Sequence, residues 1–168
     1  MPSFSASGQW LYFTSGTGAN LDIWRKNLQA SAPVEAVNTT VNLEEYYPVV
    51  RDMSTLLYTR WTSLNDHHDQ IYMRSIANPG EVGYFDTLLK INACLYENTD
   101  PTPVNENLVI FSSSRDNYLG QYTGGNRLYL GNIWTGQVWS LDHLAPIAGV
   151  TGNLLGASYS ALRAMVGQ

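Results

Sequence analysis

The sequence predicts an all-β protein made of β-propeller blades, with about three four-stranded antiparallel blades in succession. Two observations predict this fold. One motif occurs three times along the chain, and each copy contains aromatic and β-branched runs bounded by Gly, Asn or Ser, as strands do. The copies begin 46 and then about 54 residues apart, which fits a propeller blade better than the roughly 34 residues of an ankyrin or tetratricopeptide unit.

The composition agrees with this fold class and excludes several functions. Aromatic residues make up 12% of the 168 residues and charged residues only 14%, which is a β-rich profile. The net charge is −5 and the nine Lys and Arg residues are spread along the chain, so we expect no nucleic-acid partner. No apolar run approaches the roughly 18 residues of a membrane helix, so we expect no membrane insertion.

Each copy contains two clear strand patterns. The first is an aromatic or aliphatic run that follows a proline and a polar turn: "WLYFT", "TLLYTRW" and "LVIFS". The second alternates apolar with polar residues, as half-buried strands do: "LDIWRKNL" at 21–28, "DQIYMRSI" at 69–76 and "NRLYLGNI" at 126–133. Weaker patterns predict a further strand within each of the segments 32–38, 83–92 and 136–141.

The copies also predict how the chain is divided. We expect one propeller-type domain over residues 1–168, with repeats at approximately 2–43, 44–96 and 97–142, and residues 143–168 as a tail or the start of a further blade. Closed propellers have roughly four to eight blades, because each blade buries its faces against two neighbours. Three blades leave two faces uncovered. We therefore expect a fragment of a longer chain or a homo-oligomer that completes the ring, with a monomer capped by its tail and N-terminus as the alternative.

A family resemblance follows from the same motif. A proline, a Ser-x-x-Gly turn, an aromatic strand, a polar loop and then Asp-Ile-Trp resemble the WD40-like (PD40) repeat of the TolB-like propeller family. The first copy, "FSASGQWLYFTSGTGANLDIWRKNL", matches best. The second lacks the turn glycine, and the third has Arg127, Leu128 and Tyr129 in place of Asp-Ile-Trp. The resemblance implies a propeller fold and a periplasmic or secreted location.

The loops between the second and third strands of the blades form the predicted binding surface. They are expected to emerge on one common face, and loops on a rigid β scaffold are where binding groups concentrate. Aromatic rings, carboxylates and one Arg on this face suit a carbohydrate or a protein ligand. The candidate ligand-binding residues are Trp61, Asp66, His67, His68, Asp69, Arg115, Asp116, Tyr118 and Tyr122. The alternatives are that these are ordinary polar loops, with Arg115 and Asp116 stitching their loop to neighbouring strands, and that Asp69 locks a turn.

Catalytic and metal-binding patterns are weaker than the binding pattern. His67 and His68 in "NDHHD" could ligate Zn²⁺ or Mn²⁺, and the related oligogalacturonate lyases use propeller histidines in this way, but no further ligand pattern of theirs is present. No Gly-x-Ser-x-Gly elbow occurs. We therefore predict a non-catalytic binding module without catalytic residues, metal or cofactor. The alternative is the propeller part of a metal-dependent carbohydrate-active enzyme or of a prolyl-oligopeptidase-type peptidase.

Overall fold

The computed structural model of the protein describes residues 2–17, 20–29, 31–40, 42–63, 65, 67–76, 86–93, 95–115 and 125–141. These residues form three four-stranded antiparallel sheets, which confirms the predicted all-β fold of propeller blades. The strands are β1 Ser3–Phe4, β2 Trp10–Gly16, β3 Leu21–Asn27 and β4 Glu35–Asn38; β5 Glu45–Val50, β6 Thr55–Trp61, β7 Asp69–Ser75 and β8 Thr87–Leu88; and β9 Asn98–Pro103, β10 Leu108–Ser113, β11 Arg127–Asn132 and β12 Val138–Ser140. No helix in the described ranges is long and apolar enough to cross a membrane.

Within each sheet the strands follow chain order, so every connection joins neighbours. The two clear strand patterns of each copy are the two central strands of its sheet. The weaker patterns are strands as well: β4, β8 and β12 each lie within the segment predicted for them. Each of them forms one edge of its sheet and has a partner on one side only.

The middle sheet is covered on both faces, as a blade between two neighbours must be. Successive side chains of a strand point to opposite faces. In β6, Leu56 and Tyr58 therefore pack toward the first sheet, whereas Leu57 packs toward the third, and all three are fully buried. The first strands β1, β5 and β9 lie side by side, with β5 in contact with both others. This places the first strands nearest a common axis, which is the arrangement of propeller blades.

Each turn between the first two strands of a sheet is closed by a different residue. In the first copy Gly8 adopts a φ of 70° and donates its N–H to the Ser5 carbonyl at 2.9 Å. The second copy lacks a glycine here, and the Asp52 carboxylate instead accepts the Ser54 N–H at 2.8 Å. In the third copy the Asn105 side chain accepts the Asn107 N–H at 2.8 Å. Side chains of Asp and Asn can replace the glycine because they bond to the backbone two residues on.

Replacing Gly131 by alanine is expected to destabilise the protein by about 1–3 kcal/mol, because it overpacks the core between the second and third sheets. A Cβ at this position in β11 would lie 2.8 Å from Ile91 Cγ2 and 2.9 Å from Phe111 Cε1. Urea unfolding followed by tryptophan fluorescence measures the change. Phe111→Leu removes one of the clashing atoms. In that background Gly131→Ala should therefore cost less stability than it does in the unaltered chain. Unchanged stability of the single variant would contradict the packing described here.

Candidate functional site

The connections between the second and third strands emerge at one end of the sheets, which we call the loop end. The first strands begin at this end as well. The Trp61 N–H donates to the Glu44 carbonyl at 3.1 Å, and the Ser114 N–H donates to the Glu97 carbonyl at 3.2 Å. The Asp69 N–H also donates to Glu97 Oε2 at 2.8 Å, which ties the loop ends of the second and third sheets together. A ligand at the loop end can therefore contact loops and first strands together.

The structure describes five of the nine predicted binding residues. These are Trp61, His67, His68, Asp69 and Arg115, whereas Asp66, Asp116, Tyr118 and Tyr122 lie outside the described residues. Four of the five come from one loop and its flanking strands β6 and β7. Arg115 follows β10 of the third sheet.

Trp61 and His67 form an aromatic platform at the loop end. Their ring centroids are 4.1 Å apart and their planes differ by 15°, so the rings are stacked. Trp61 is held by its position as the last residue of β6, and His67 has a φ of 52°, a conformation that His adopts more readily than most residues. The Thr62 N–H donates to the His68 carbonyl at 3.1 Å and closes the loop. The platform combines a large apolar surface with an exposed imidazole.

Asp69 is the most perturbed carboxyl at the loop end. Burial raises the pKa of the Asp69 carboxyl to about 7; the Tyr46 hydroxyl, which donates a hydrogen bond to Asp69 Oδ2, opposes this rise, and the charge of Glu97 adds to it. Raised carboxyl pKa values are common at functional sites and also occur in structural networks. Here the carboxyl connects β7 to β5 through Tyr46 and lies beside Glu97 of the next sheet. It therefore joins the platform to the first strands.

Arg115 is directed into the protein. Its Nη2 atom donates to the Ile91 carbonyl at 2.7 Å and to Asn98 Oδ1 at 2.5 Å, and its Nε atom donates to Ser113 Oγ at 3.0 Å. The guanidinium carbon also lies 4.9 Å from the centre of the Phe111 ring. These contacts give Arg115 a structural role at the start of the third sheet.

A cleft also opens at the loop end, lined by side chains that the sequence pattern did not single out. It has a volume of about 420 Å³, and its lining residues are Thr14, Leu21, Glu44, Tyr46 and Tyr47. It lies between the first and second sheets, and Glu44 in its lining accepts the Trp61 backbone N–H through its carbonyl. Two half-buried tyrosines and one carboxylate provide apolar, hydrogen-bonding and anionic contacts in one place.

Tyr47 and Asp100 share an unusual backbone conformation at the loop end. Their φ angles are 55° and 53°, in the left-handed region, and each precedes a proline, Pro48 or Pro101. Both lie in first strands where the register with the second strand shifts. The repeated residue-before-proline position was a signal in the sequence that could have identified these two side chains. Burial, followed by the nearby Asp100 charge, raises the pKa of Tyr47, so the two residues face the same region.

The described residues contain no group of three or more His, Cys, Asp and Glu side chains placed to hold a metal ion. A second cleft, of about 290 Å³, lies at the opposite end between the first two sheets. Its main feature is Arg25, whose guanidinium carbon lies 4.0 Å from the Trp10 ring centre and which also pairs with Glu35 at 2.6 Å. Its charges are paired internally, so we consider the loop end the better candidate site.

Comparison with known proteins identifies the fold. No defined protein family matches the sequence, and no curated protein matches it. Among solved structures, the chain is similar to TolB from Acinetobacter baumannii, with a TM-score of 0.58, 20% identity, 83% of this chain covered and 31% of TolB. It is also similar to a puromycin-hydrolyzing peptidase of Mycobacterium tuberculosis, with a TM-score of 0.64, 11% identity, 92% of this chain covered and 24% of the peptidase.

The isopeptidase AtxE2, in its apo form, is a third similar structure, with a TM-score of 0.53, 11% identity, 83% of this chain covered and 28% of that protein. The chain thus spans between a quarter and a third of the length of each of these proteins. The fold is the one that the repeat motif predicts, a TolB-like β-propeller.

Proposed function

We propose that this segment of TolB-like propeller fold is a non-catalytic binding module that recognises a protein or a carbohydrate through its loop end. The observation that carries the proposal is that the stacked Trp61–His67 platform and the tyrosine-lined cleft lie at the same end of the sheets. Aromatic side chains bury a large area at little conformational cost, and they dominate binding energies when they lie at the centre of an interface. The strands that flank the loop hold the platform in place before a ligand arrives.

The charges of the loop end favour a protein segment with Lys or Arg side chains over a neutral sugar. In the part of the chain that the structure describes, Glu44, Asp69 and Glu97 form no ion pair. The described arginines that do form ion pairs have their carboxylate partners in Glu35, Asp52 and Asp86. A ligand cation in the cleft would meet Glu44 next to two tyrosine side chains, an arrangement that attracts ammonium and guanidinium groups.

Replacing Trp61 by alanine is expected to weaken ligand binding at least tenfold, because the platform loses its larger ring. Ligands would be selected from a random peptide display library and from an array of neutral and acidic glycans. Affinity of the selected peptide or glycan is then measured by titration calorimetry. The matched control is Trp134→Ala, since Trp134 is 49% exposed at the opposite end of the sheets. The proposal is wrong if neither library yields a ligand, or if both variants bind as the unaltered chain does.

A second candidate function is the propeller part of a peptidase whose catalytic domain lies elsewhere. The observation in its favour is that two of the three similar structures are peptidases of which this chain matches about a quarter. The peptides selected for the first proposal also distinguish a binding module from a segment of a peptidase. A binding module leaves a peptide intact, whereas an enzyme segment supports cleavage only when a catalytic domain is supplied. Mass spectrometry of the peptide after incubation with the purified chain and a separate prolyl-oligopeptidase-type catalytic domain separates them: more cleavage than with the catalytic domain alone supports the peptidase segment, and unchanged cleavage supports the binding module.

We also propose a periplasmic or secreted location and association with a second copy to cover the outer faces of the first and third sheets. The likeness to TolB supports the location. Apolar side chains exposed on these two sheets support the association, since Phe4 and Trp139 are 60% and 39% exposed.

A further inference from the structure

The same two positions lie at each boundary between neighbouring sheets. One is the second residue of the third strand, and the other is the first residue of the next first strand. At the boundary between the second and third sheets these are Gln70 and Asn98, and Asn98 Nδ2 donates to Gln70 Oε1 at 3.1 Å. At the boundary between the first and second sheets the equivalent residues are Asp22 and Glu45. A buried amide pair at one boundary is thus replaced by two carboxyls at the other.

Both carboxyls are buried and only partly hydrogen-bonded. Asp22 is 8% exposed and Glu45 is fully buried. Glu45 Oε2 accepts the Thr40 N–H at 3.3 Å, and Asp22 Oδ2 accepts from Asn20 Nδ2 at 3.3 Å. Within the described ranges, Glu45 Oε1 and Asp22 Oδ1 have no hydrogen-bond partner. Two buried carboxylates with unsatisfied oxygens repel each other, whereas a proton on one of them removes a charge and supplies a donor.

The surrounding charges do not neutralise the pair. Arg60 is the register neighbour of Glu45 in β6, but its Nη1 atom pairs with Asp86 at 2.9 Å and its guanidinium carbon lies 3.9 Å from the Tyr72 ring centre. Tyr58, also in β6, accepts a hydrogen bond from Asn38 Nδ2 at 3.1 Å. Burial raises the pKa of Glu45 to about 7, while Thr40 and Arg60 oppose the rise and the charge of Asp22 adds to it. Burial likewise raises the pKa of Asp22.

We infer that the Asp22–Glu45 carboxyl pair is a proton-dependent contact: a proton held by the pair stabilises the boundary between the first and second sheets, and its loss as the pH rises weakens that boundary. The Gln70–Asn98 pair at the equivalent positions has no such dependence, because amides do not titrate. The pKa of Glu45 is higher in the folded protein than the 4.5 of a free side chain. Its contribution to stability is therefore fully present below about pH 4.5 and is lost as the pH rises through about 7.

Thermal unfolding between pH 5 and pH 8, followed by circular dichroism, tests the inference. In Glu45→Gln the added amide mimics the protonated acid, so its Tm at pH 8 should exceed that of the unaltered chain by roughly 5–10 °C, and the difference should shrink toward pH 5. Glu106→Gln, a change at an exposed position, should leave the pH profile unaltered. Carbon-13 NMR of the Glu45 carboxyl gives a direct titration in the unaltered chain.

Asp22→Asn provides a second variant in case Glu45→Gln does not fold. It should lower the pKa of Glu45 and flatten the same pH profile. A Glu45 titration near the pKa of a free side chain, or parallel Tm profiles for all variants, would overturn the inference. Protection at pH 8 by millimolar CaCl₂ would overturn it as well, because the pair would then hold a cation instead of a proton.

Discussion

Replacing Asn98 by alanine is expected to lower the free energy of unfolding by about 4 kcal/mol. This fully buried amide is the centre of the contact between the second and third sheets. Its Nδ2 atom donates to Gln70 Oε1 at 3.1 Å and to the carbonyls of Ala93 and Tyr96 at 3.1 and 2.8 Å. Its Oδ1 atom accepts from Ser113 Oγ at 3.0 Å. Alanine would leave these buried groups without a partner, and an unsatisfied buried group costs about 1–3 kcal/mol.

Chemical denaturation at pH 7 measures this change, and Asn107→Ala is the matched control because Asn107 is exposed in a turn. The control should change stability by less than about 0.5 kcal/mol. Asn98→Asp separates the role of the amide oxygen of Asn98 from that of its amide nitrogen. It keeps an oxygen that accepts from Ser113 and Arg115 but removes the Nδ2 donor. Its stability should therefore lie between that of Asn98→Ala and that of the unaltered chain. If Asn98→Ala were as stable as the control, the amide would not be the centre of this contact.

Replacing Arg115 by alanine is expected to cost about 3 kcal/mol, and Arg115→Lys is expected to restore little of it. The planar guanidinium donates in fixed directions to the Ile91 carbonyl, Asn98 Oδ1 and Ser113 Oγ. An ammonium group on a flexible chain cannot reach all three acceptors at once. Denaturant unfolding of both variants measures the effect, with Lys90→Ala as a control for the loss of an exposed positive charge.

A double-mutant cycle of Arg115→Ala and Asn98→Ala then separates the two effects. The residues are in direct contact, so their losses should sum to more than the loss of the double variant, by about 1–3 kcal/mol. Strict additivity would contradict the shared network. Retained stability in Arg115→Ala together with lost ligand binding would contradict the structural role described for this residue.

The fold was predictable from sequence because it depends on repetition. Three copies of a proline, a turn and two strand patterns specify three sheets, and the weaker third pattern marks the last strand of each. The turn of the second copy shows where the motif alone is insufficient. Its missing glycine looks like a departure from the repeat, whereas Asp52 closes the turn by a side-chain hydrogen bond to Ser54. Different residues can satisfy the same backbone requirement, so a motif underestimates how regular the structure is.

The candidate site was only partly predictable. Loop position identified Trp61 and His67, but no pattern indicated that their rings stack. Glu44, Tyr46 and Tyr47 lie in or next to a strand that no sequence pattern singled out, although their side chains line the cleft. Arg115 was selected because it lies in a loop of the predicted binding face, yet two of its three acceptors are 17 and 24 residues away in sequence. Contacts across sheets decide which loop side chains face outward, and sequence order does not contain them.

The prolines of the first strands have a consequence for solubility. Strands β5 and β9 form sheet edges, and an edge strand with free N–H groups can pair with strands of other molecules. Pro48 and Pro101 have no N–H to offer, and the left-handed residues before them bend the strands out of register. A strand of another molecule therefore cannot form a continuous series of backbone hydrogen bonds with these edges. These edges are protected against aggregation by their own backbones, which leaves the side chains around them available for recognition.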